Sequence, residues 1–133
     1  MNYRYLKSLI VVVLLLLNGC GGGGGGGASS TPRLYGAVAW KVPVTVISAA
    51  ISTKQTSQAN ANTLALSDCG GGCTIAHEFT ATENCAAVVY GTGKVLTWAT
   101  GATSSEAQNS AKLACINQGG TFCTVQTYGC HTF

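Results

Sequence analysis

Seven cysteines occur in the 133-residue chain, and six of them follow one another in a repeating order between positions 69 and 130. Cys69 and Cys73 flank a glycine turn in the first half of this region, and Cys115 and Cys123 flank a glycine-containing loop in the second. In each half a predicted helix precedes the pair and a predicted strand follows it. The recurrence after roughly 46 to 50 residues predicts a domain built by internal duplication.

Capping signals and a narrow face of small residues mark the two predicted helices. Thr103 and Glu106 have the spacing of a capping box, in which each side chain bonds the backbone N–H of the other. Small residues at helical spacing predict a face that can lie close to a sheet. These residues are Ala107, Ala111, Ala114 and Cys115 in the second helix, and Ala61, Leu64, Ala65 and Cys69 in the first.

The predicted strands alternate with period two. Residues 37–40 and 86–90 are almost continuously apolar, which is typical of strands buried on both faces. Residues 44–53 form a β-branched stretch and are predicted as a strand. Alternation places Ile75, His77 and Phe79 on one face and Thr74, Ala76 and Glu78 on the other, and Val125 and Thr127 repeat the first pattern.

These patterns predict the fold class of residues 33–133. We expect a small, disulfide-stabilised α+β domain with one mostly antiparallel sheet and two helices on one face of that sheet. The expected architecture is a pseudo-duplicated ββαβ repeat, with repeats at about 34–80 and 85–130.

Residues 1–19 have the features of a secretion signal. Arg4 and Lys7 precede an unbroken apolar run at 9–17, which is too short to span a bilayer as a helix. The run ends in Leu17-Asn18-Gly19-Cys20, which resembles the lipobox of bacterial lipoproteins, with Asn18 where a smaller residue is usual. The resemblance implies cleavage before Cys20 and acylation of Cys20, and hence a membrane anchor made of lipid.

Residues 20–32 are predicted to be a tether, because seven consecutive glycines bury nothing and lose much entropy on ordering. Gly21 occupies the position at which an aspartate would retain a lipoprotein in the inner membrane. By analogy with other bacterial lipoproteins, we predict that the protein is located in the outer membrane, with the domain facing the periplasm or the cell surface. Without residues 1–19 the net charge is +1, and no basic stripe remains. This composition argues against nucleic-acid binding.

With Cys20 acylated, six cysteines remain, and six thiols allow fifteen pairings. The repeat favours Cys69–Cys73 and Cys115–Cys123, which leaves Cys85 to pair with Cys130. A metal site is the alternative, since these cysteines and His131 could supply thiolates and an imidazole. An oxidising compartment favours disulfides, so we predict no metal and no cofactor.

Several short motifs, taken in order, resemble the bacterial domain of unknown function 4189. They are Gly36-Ala-Val-Ala, Cys69-Gly-Gly-Gly-Cys73, Cys85-Ala-Ala, Trp98-Ala-Thr-Gly-Ala-Thr before a helix with Glu106-Ala107 and Ala114-Cys115, and the closing Cys123 and Cys130. The resemblance covers residues 34–130 and implies an exported, cysteine-bridged domain with no established enzymatic activity. The chain departs from the family at 44–53, where a glycine- and aromatic-rich hairpin is usual.

Three functions remain open at this point. The first is a non-enzymatic module that binds a protein partner in the cell envelope, in an inhibitor, immunity-type or adhesion role. Its candidate contact residues are Trp40, Trp98 and Tyr128, because aromatic residues dominate interface energetics. Packing in the core of the domain is the alternative role for the same three residues. The second is a structural lipoprotein without a specific ligand.

The third function is an envelope hydrolase, for which His77, Glu78 and His131 are the best residues. His77 and Glu78 are adjacent on a strand and therefore point to opposite faces, so they cannot form a base–orienter pair. His131 lies within the last three residues of the chain and is expected to be mobile. We therefore predict no catalytic residues and no enzymatic activity.

Overall fold

The structure is a computed structural model that describes residues 32–41 and 47–132, so the predicted signal peptide, Cys20 and almost all of the tether lie outside the described residues. Within these ranges, neither helix is long and apolar enough to cross a membrane. The order of elements is ββαβ, twice. The first half contains β1 (Tyr35–Trp40), β2 (Ala49–Gln55), α1 (Gln58–Cys69) and β3 (Thr74–Thr80), and the second contains β4 (Cys85–Gly91), β5 (Val95–Gly101), α2 (Ser104–Asn117) and β6 (Thr124–Cys130).

The strands form two antiparallel sheets, one from each half. Sheet A has the order β2-β1-β3 and sheet B has the order β5-β4-β6. The α+β class and the duplicated ββαβ order are confirmed, but the prediction of a single sheet is wrong. Each half closes its own sheet because the strand after the helix returns to pair with the first strand of the same half.

The central strands β1 and β4 are buried on both faces, as their continuous apolar sequences predict. Ala37 and Ala39 face α1, whereas Val38 on the same strand faces sheet B. In β4, Ala87 faces α2 and Val88 faces sheet A. The layers therefore run α1, sheet A, sheet B, α2. The helices lie on the two outer surfaces, not on one face of a shared sheet as expected.

A bulge in β3 changes the predicted faces of that strand. Val38 pairs with His77 and Ala39 pairs with Ile75, so Ala76 is an extra residue in the ladder. Because of this bulge, Ile75 packs towards α1 while Ala76 and Phe79 pack between the sheets. The prediction that Ile75 shares a face with Phe79 is therefore wrong. The second half has the same irregularity, at Gln126 in β6.

The helices lie close to their sheets through small residues, as predicted. Thr103 and Glu106 form the capping box at the start of α2, and Ser57 caps α1 by accepting from the Asn60 N–H at 3.2 Å. The buried positions are Ala61, Ala65 and Cys69 in α1, and Ala107, Ala111 and Cys115 in α2. Leu64, placed on the buried face by the sequence, is 41% exposed, so the buried stripe follows a strict i, i+4, i+8 spacing.

The second strand begins later than predicted. β2 covers Ala49–Gln55, whereas the β-branched sequence predicts a strand over 44–53. Residues 42–46 lie outside the described residues. A register shift opposite Gly36 and a positive φ at Lys54 end the regular part of this strand.

Candidate functional site

Three disulfides fix the frame in which every candidate residue sits. They are Cys69–Cys73, Cys115–Cys123 and Cys85–Cys130, the same three pairs that the repeat predicts. The first two each connect the C-terminal part of a helix to the start of the next strand, and the third joins the beginning of β4 to the end of β6. A Cβ at Gly91 would lie 2.5 Å from the Cys115 sulfur, so β4 can approach this disulfide only because residue 91 has no side chain.

A cluster around His77 bridges the two sheets at β3 and β5. The His77 ring stacks on Trp98, with ring centroids 3.9 Å apart and an interplanar angle of 13°. His77 Nε2 lies 3.2 Å from Glu83 Oε1, and since a carboxylate only accepts, Nε2 carries the proton. Thr100 donates from Oγ1 to the same oxygen at 3.2 Å. This His77 cluster consists of His77, Glu83, Trp98 and Thr100.

The residues considered for a hydrolase do not lie together in the structure. Glu78 accepts from Asn62 Nδ2 at 2.6 Å and so faces α1, whereas His77 faces sheet B. The carboxylate that orients His77 is Glu83, in the β3–β4 connection, which was not among the candidate residues considered from the sequence. A histidine oriented by a carboxylate is half of a general-base arrangement. In this cluster the ring face of His77 is occupied by Trp98 and its Nε2 by Glu83.

His131 is buried, contrary to the expectation of a mobile residue near the chain end. Its residue exposure is 3% and its ring lies 5.0 Å from that of Phe79. Its Nδ1 accepts from the Lys54 N–H at 3.0 Å, so the proton of the neutral ring is on Nε2. Within residues 32–41 and 47–132, that buried Nε2 has no hydrogen-bond partner. Burial lowers the pKa of His131 from its ordinary value of 6.5, against a smaller raising effect of Glu83.

Acidification should therefore weaken the fold through His131. The neutral ring stabilises the folded state fully above pH 6.5, and this contribution is lost as the pH falls through the lowered folded-state pKa, since only the unfolded chain binds the proton readily. His131→Asn keeps an acceptor for Lys54 N–H without titrating. Urea unfolding between pH 8 and 5 should give a steeper loss of unfolding free energy for the wild type than for this variant. Parallel pH profiles would contradict this assignment.

The three aromatic residues proposed as partner contacts do not form one surface. Trp40 and Trp98 pack against the cluster between the sheets and are only partly exposed. Tyr128 is 57% exposed and pairs with Ala87, which faces α2, so Tyr128 points to the opposite side of sheet B from Trp98. Among these three residues, Tyr128 offers the most side-chain surface to a partner.

The four most exposed large apolar side chains of the described residues all lie in the second half of the chain. We call this set the α2 surface; it comprises Leu113, Ile116, Phe122 and Tyr128, with exposures of 59%, 60%, 85% and 57%. Phe122 also has a positive φ of 51°, which is unusual for a bulky residue and is a strained conformation. Of these four residues, only Tyr128 was predicted as a contact from the sequence. The available signal was that Leu113 and Ile116 fall off the stripe formed by Ala107, Ala111 and Cys115.

Within the described residues, no group of three or more histidine, cysteine or acidic side chains is placed to hold a metal ion. The six cysteines at 69–130 are bonded in pairs, so their sulfurs are not thiolates.

Comparison with known proteins places the folded part of the chain in a family. Residues 35–130 match the family model described as a domain of unknown function (DUF4189). No curated protein and no solved structure matches the chain. The matched segment runs from the first residue of β1 to the last residue of β6 and so includes both halves of the duplication.

Proposed function

The chain belongs to the DUF4189 family of domains of unknown function, and from this premise we propose that it is an exported, lipid-anchored protein that acts as a non-enzymatic protein-binding module in the cell envelope. The anchor is the lipid on Cys20, and the residues after it hold the domain away from the membrane. The location is the outer membrane, with the domain facing the periplasm or the cell surface.

The pairing of the cysteines supports export. Disulfides persist in oxidising compartments and are rare in the cytosol. Six of the seven cysteines form three disulfides, so Cys20 is the one that remains, and it stands at the lipobox position after an apolar run. Location in the bacterial envelope accounts both for the three disulfides and for Cys20 at the lipobox position.

The observation that carries the binding role is Phe122. A phenylalanine that is 85% exposed gives up the stabilisation of burial, and its positive φ adds backbone strain. Burial of Phe122 against a partner would offset this loss of stability. Aromatic side chains that become buried on binding are typical interface hot spots. Leu113 and Ile116 on α2 and Tyr128 on β6 are further exposed apolar side chains in the same half of the chain, and the Cys115–Cys123 disulfide holds the loop that carries Phe122. A rigid surface loses little entropy when it binds.

The contacts of His77 and His131 support a structural rather than a catalytic role for both histidines. The His77 ring stacks on Trp98 of β5, and its Nε2 is bonded to Glu83 in the β3–β4 connection. His131 is buried just after β6, and its Nδ1 accepts from the backbone of β2. We therefore assign no reaction to them. If the protein were a structural lipoprotein without a ligand, the exposure and backbone strain of Phe122 would have no explanation.

The proposal can be tested in cells with a photo-reactive amino acid at position 122, in the wild-type chain and in Cys20→Ser. The wild-type protein should sediment with the membranes, incorporate labelled palmitate and give one cross-linked adduct of defined mass. Cys20→Ser should lose the label and appear in the soluble fraction, because stable anchoring requires the acyl chains.

The matched control carries the same photo-reactive residue at position 64, which is 41% exposed on the helix of the first half. The adduct should be absent there and should recur from position 116. Palmitate label in Cys20→Ser would refute the anchor. Equal cross-linking from positions 64 and 122, or none from either, would refute the α2 surface as the partner contact.

A further inference from the structure

One edge of sheet B lacks the features that normally stop strands from pairing with other chains. β5 is an edge strand that pairs with β4 over seven consecutive residues, Val95 to Gly101, with no register shift. It contains no charged residue and no proline. Within the part of the chain that the structure describes, no other segment donates to or accepts from the backbone groups of Val95–Gly101 along the edge away from β4.

The other three edge strands are protected. β3 contains Glu78 and a bulge at Ala76, and β6 has the equivalent bulge at Gln126. β2 contains Lys54 and a register shift opposite Gly36, and it lies against β6 of the other sheet. Charges and bulges are the usual devices against edge-to-edge pairing, so β5 stands out as the strand that can accept another.

We propose that the β5 edge pairs with β5 of a second copy of this chain, in antiparallel orientation about a two-fold axis at Trp98. The two B sheets then form one continuous six-stranded sheet, in which main-chain hydrogen bonds supply the affinity. The two Trp98 side chains lie opposite each other on the same face of that sheet. Directly opposed aromatic residues are among the favourable cross-strand pairs.

The charges at the two ends of β5 select this partner and this register. Lys94 immediately precedes the strand, and at its other end the Glu106 carboxylate accepts from the N–H groups of Ala102 and Thr103 at 2.9 and 3.2 Å. Antiparallel pairing about Trp98 brings Lys94 of each copy opposite residue 102 of the other, beside Glu106. Two symmetric lysine–glutamate pairs follow, and β5 itself brings no like charges together. A parallel arrangement would place the two Lys94 side chains beside each other.

This inference concerns a different surface from the α2 surface and does not depend on the lipid anchor. The full chain, solubilised with micelles in large excess, should show a reversible monomer–dimer equilibrium by sedimentation. Hydrogen exchange should slow with rising protein concentration in residues 95–101 alone. Lys94→Glu should raise the dissociation constant of the dimer about tenfold, because two attractions become repulsions. High salt should weaken the wild-type dimer.

The matched control is Lys41→Glu, which makes the same charge change in the first half, beside Gly72. It should leave the dissociation constant unchanged. The proposal is overturned if the chain stays monomeric at all accessible concentrations, or if it dimerises with protection elsewhere. Protection of 95–101 that does not change with concentration would also overturn it, since another segment of the same chain would then occupy the edge.

Discussion

Replacing both Cys85 and Cys130 by alanine should lower the free energy of unfolding by about 4 kcal/mol, because this disulfide closes the longest loop in the domain. The two cysteines are 45 residues apart, and cross-linking removes more entropy from the unfolded chain as the closed loop lengthens. Domains of this size are stabilised by only about 5–15 kcal/mol in total. Urea denaturation of the oxidised proteins, with the fold checked by circular dichroism, measures the loss.

The other two disulfides provide matched controls, since each alanine pair also removes two sulfur atoms. Cys69–Cys73 spans 4 residues and Cys115–Cys123 spans 8, so their removal should cost about 2 and about 2.5 kcal/mol. The order of the three losses is the informative result. Equal losses, or a largest loss for Cys69–Cys73, would show that local packing around the sulfurs outweighs loop closure.

Those features of the fold that depend on local sequence could be predicted. The capping box at Thr103 and Glu106 follows from spacing alone, as do the small buried faces of the helices. The pairing of Cys69 with Cys73 and of Cys115 with Cys123 follows from the duplication, because equivalent cysteines in two copies of one unit meet equivalent neighbours.

The arrangement of the layers could not be predicted, because a strand buried on both faces does not reveal what covers each face. Val38 and Val88 are apolar whether the second cover is a helix or another sheet. The bulge at Ala76 is equally invisible to a periodic pattern, since one extra residue reverses every assignment on one side of it. The predicted sharing of a face by Ile75 and Phe79 failed for that reason.

The candidate surfaces were predicted least well, because they depend on tertiary contacts. Nothing near His131 in the sequence indicates that it accepts from Lys54, which is far away in the chain. Trp98 was a reasonable contact residue by type, but its ring is engaged by His77 from the other sheet. Phe122 follows the glycines of the α2–β6 loop, and its exposure could be learned only from the structure.

Phe79→Ala should cost about 3–5 kcal/mol, because Phe79 is the largest side chain buried between the two sheets. Phe79 is 1% exposed, and its ring fills the space beside Gly36. A Cβ added at Gly36 would lie only 2.4 Å from the Phe79 ring. Truncation leaves a cavity that β1 and β4 cannot both close, since each is also fixed to its own helix. Thermal and urea unfolding measure the loss.

Phe122→Ala is the matched control, since the same atoms are removed from a side chain that is 85% exposed, and its effect should stay within about 0.5 kcal/mol. The two substitutions together also test the layered architecture. Phe79 belongs to sheet A but contacts the cluster containing Ala86 and Val88 of sheet B. In Phe79→Ala, hydrogen exchange should therefore accelerate in β4 as well as in β1. Acceleration confined to β1 would mean that the sheets do not share a core and that the two halves fold as separate units.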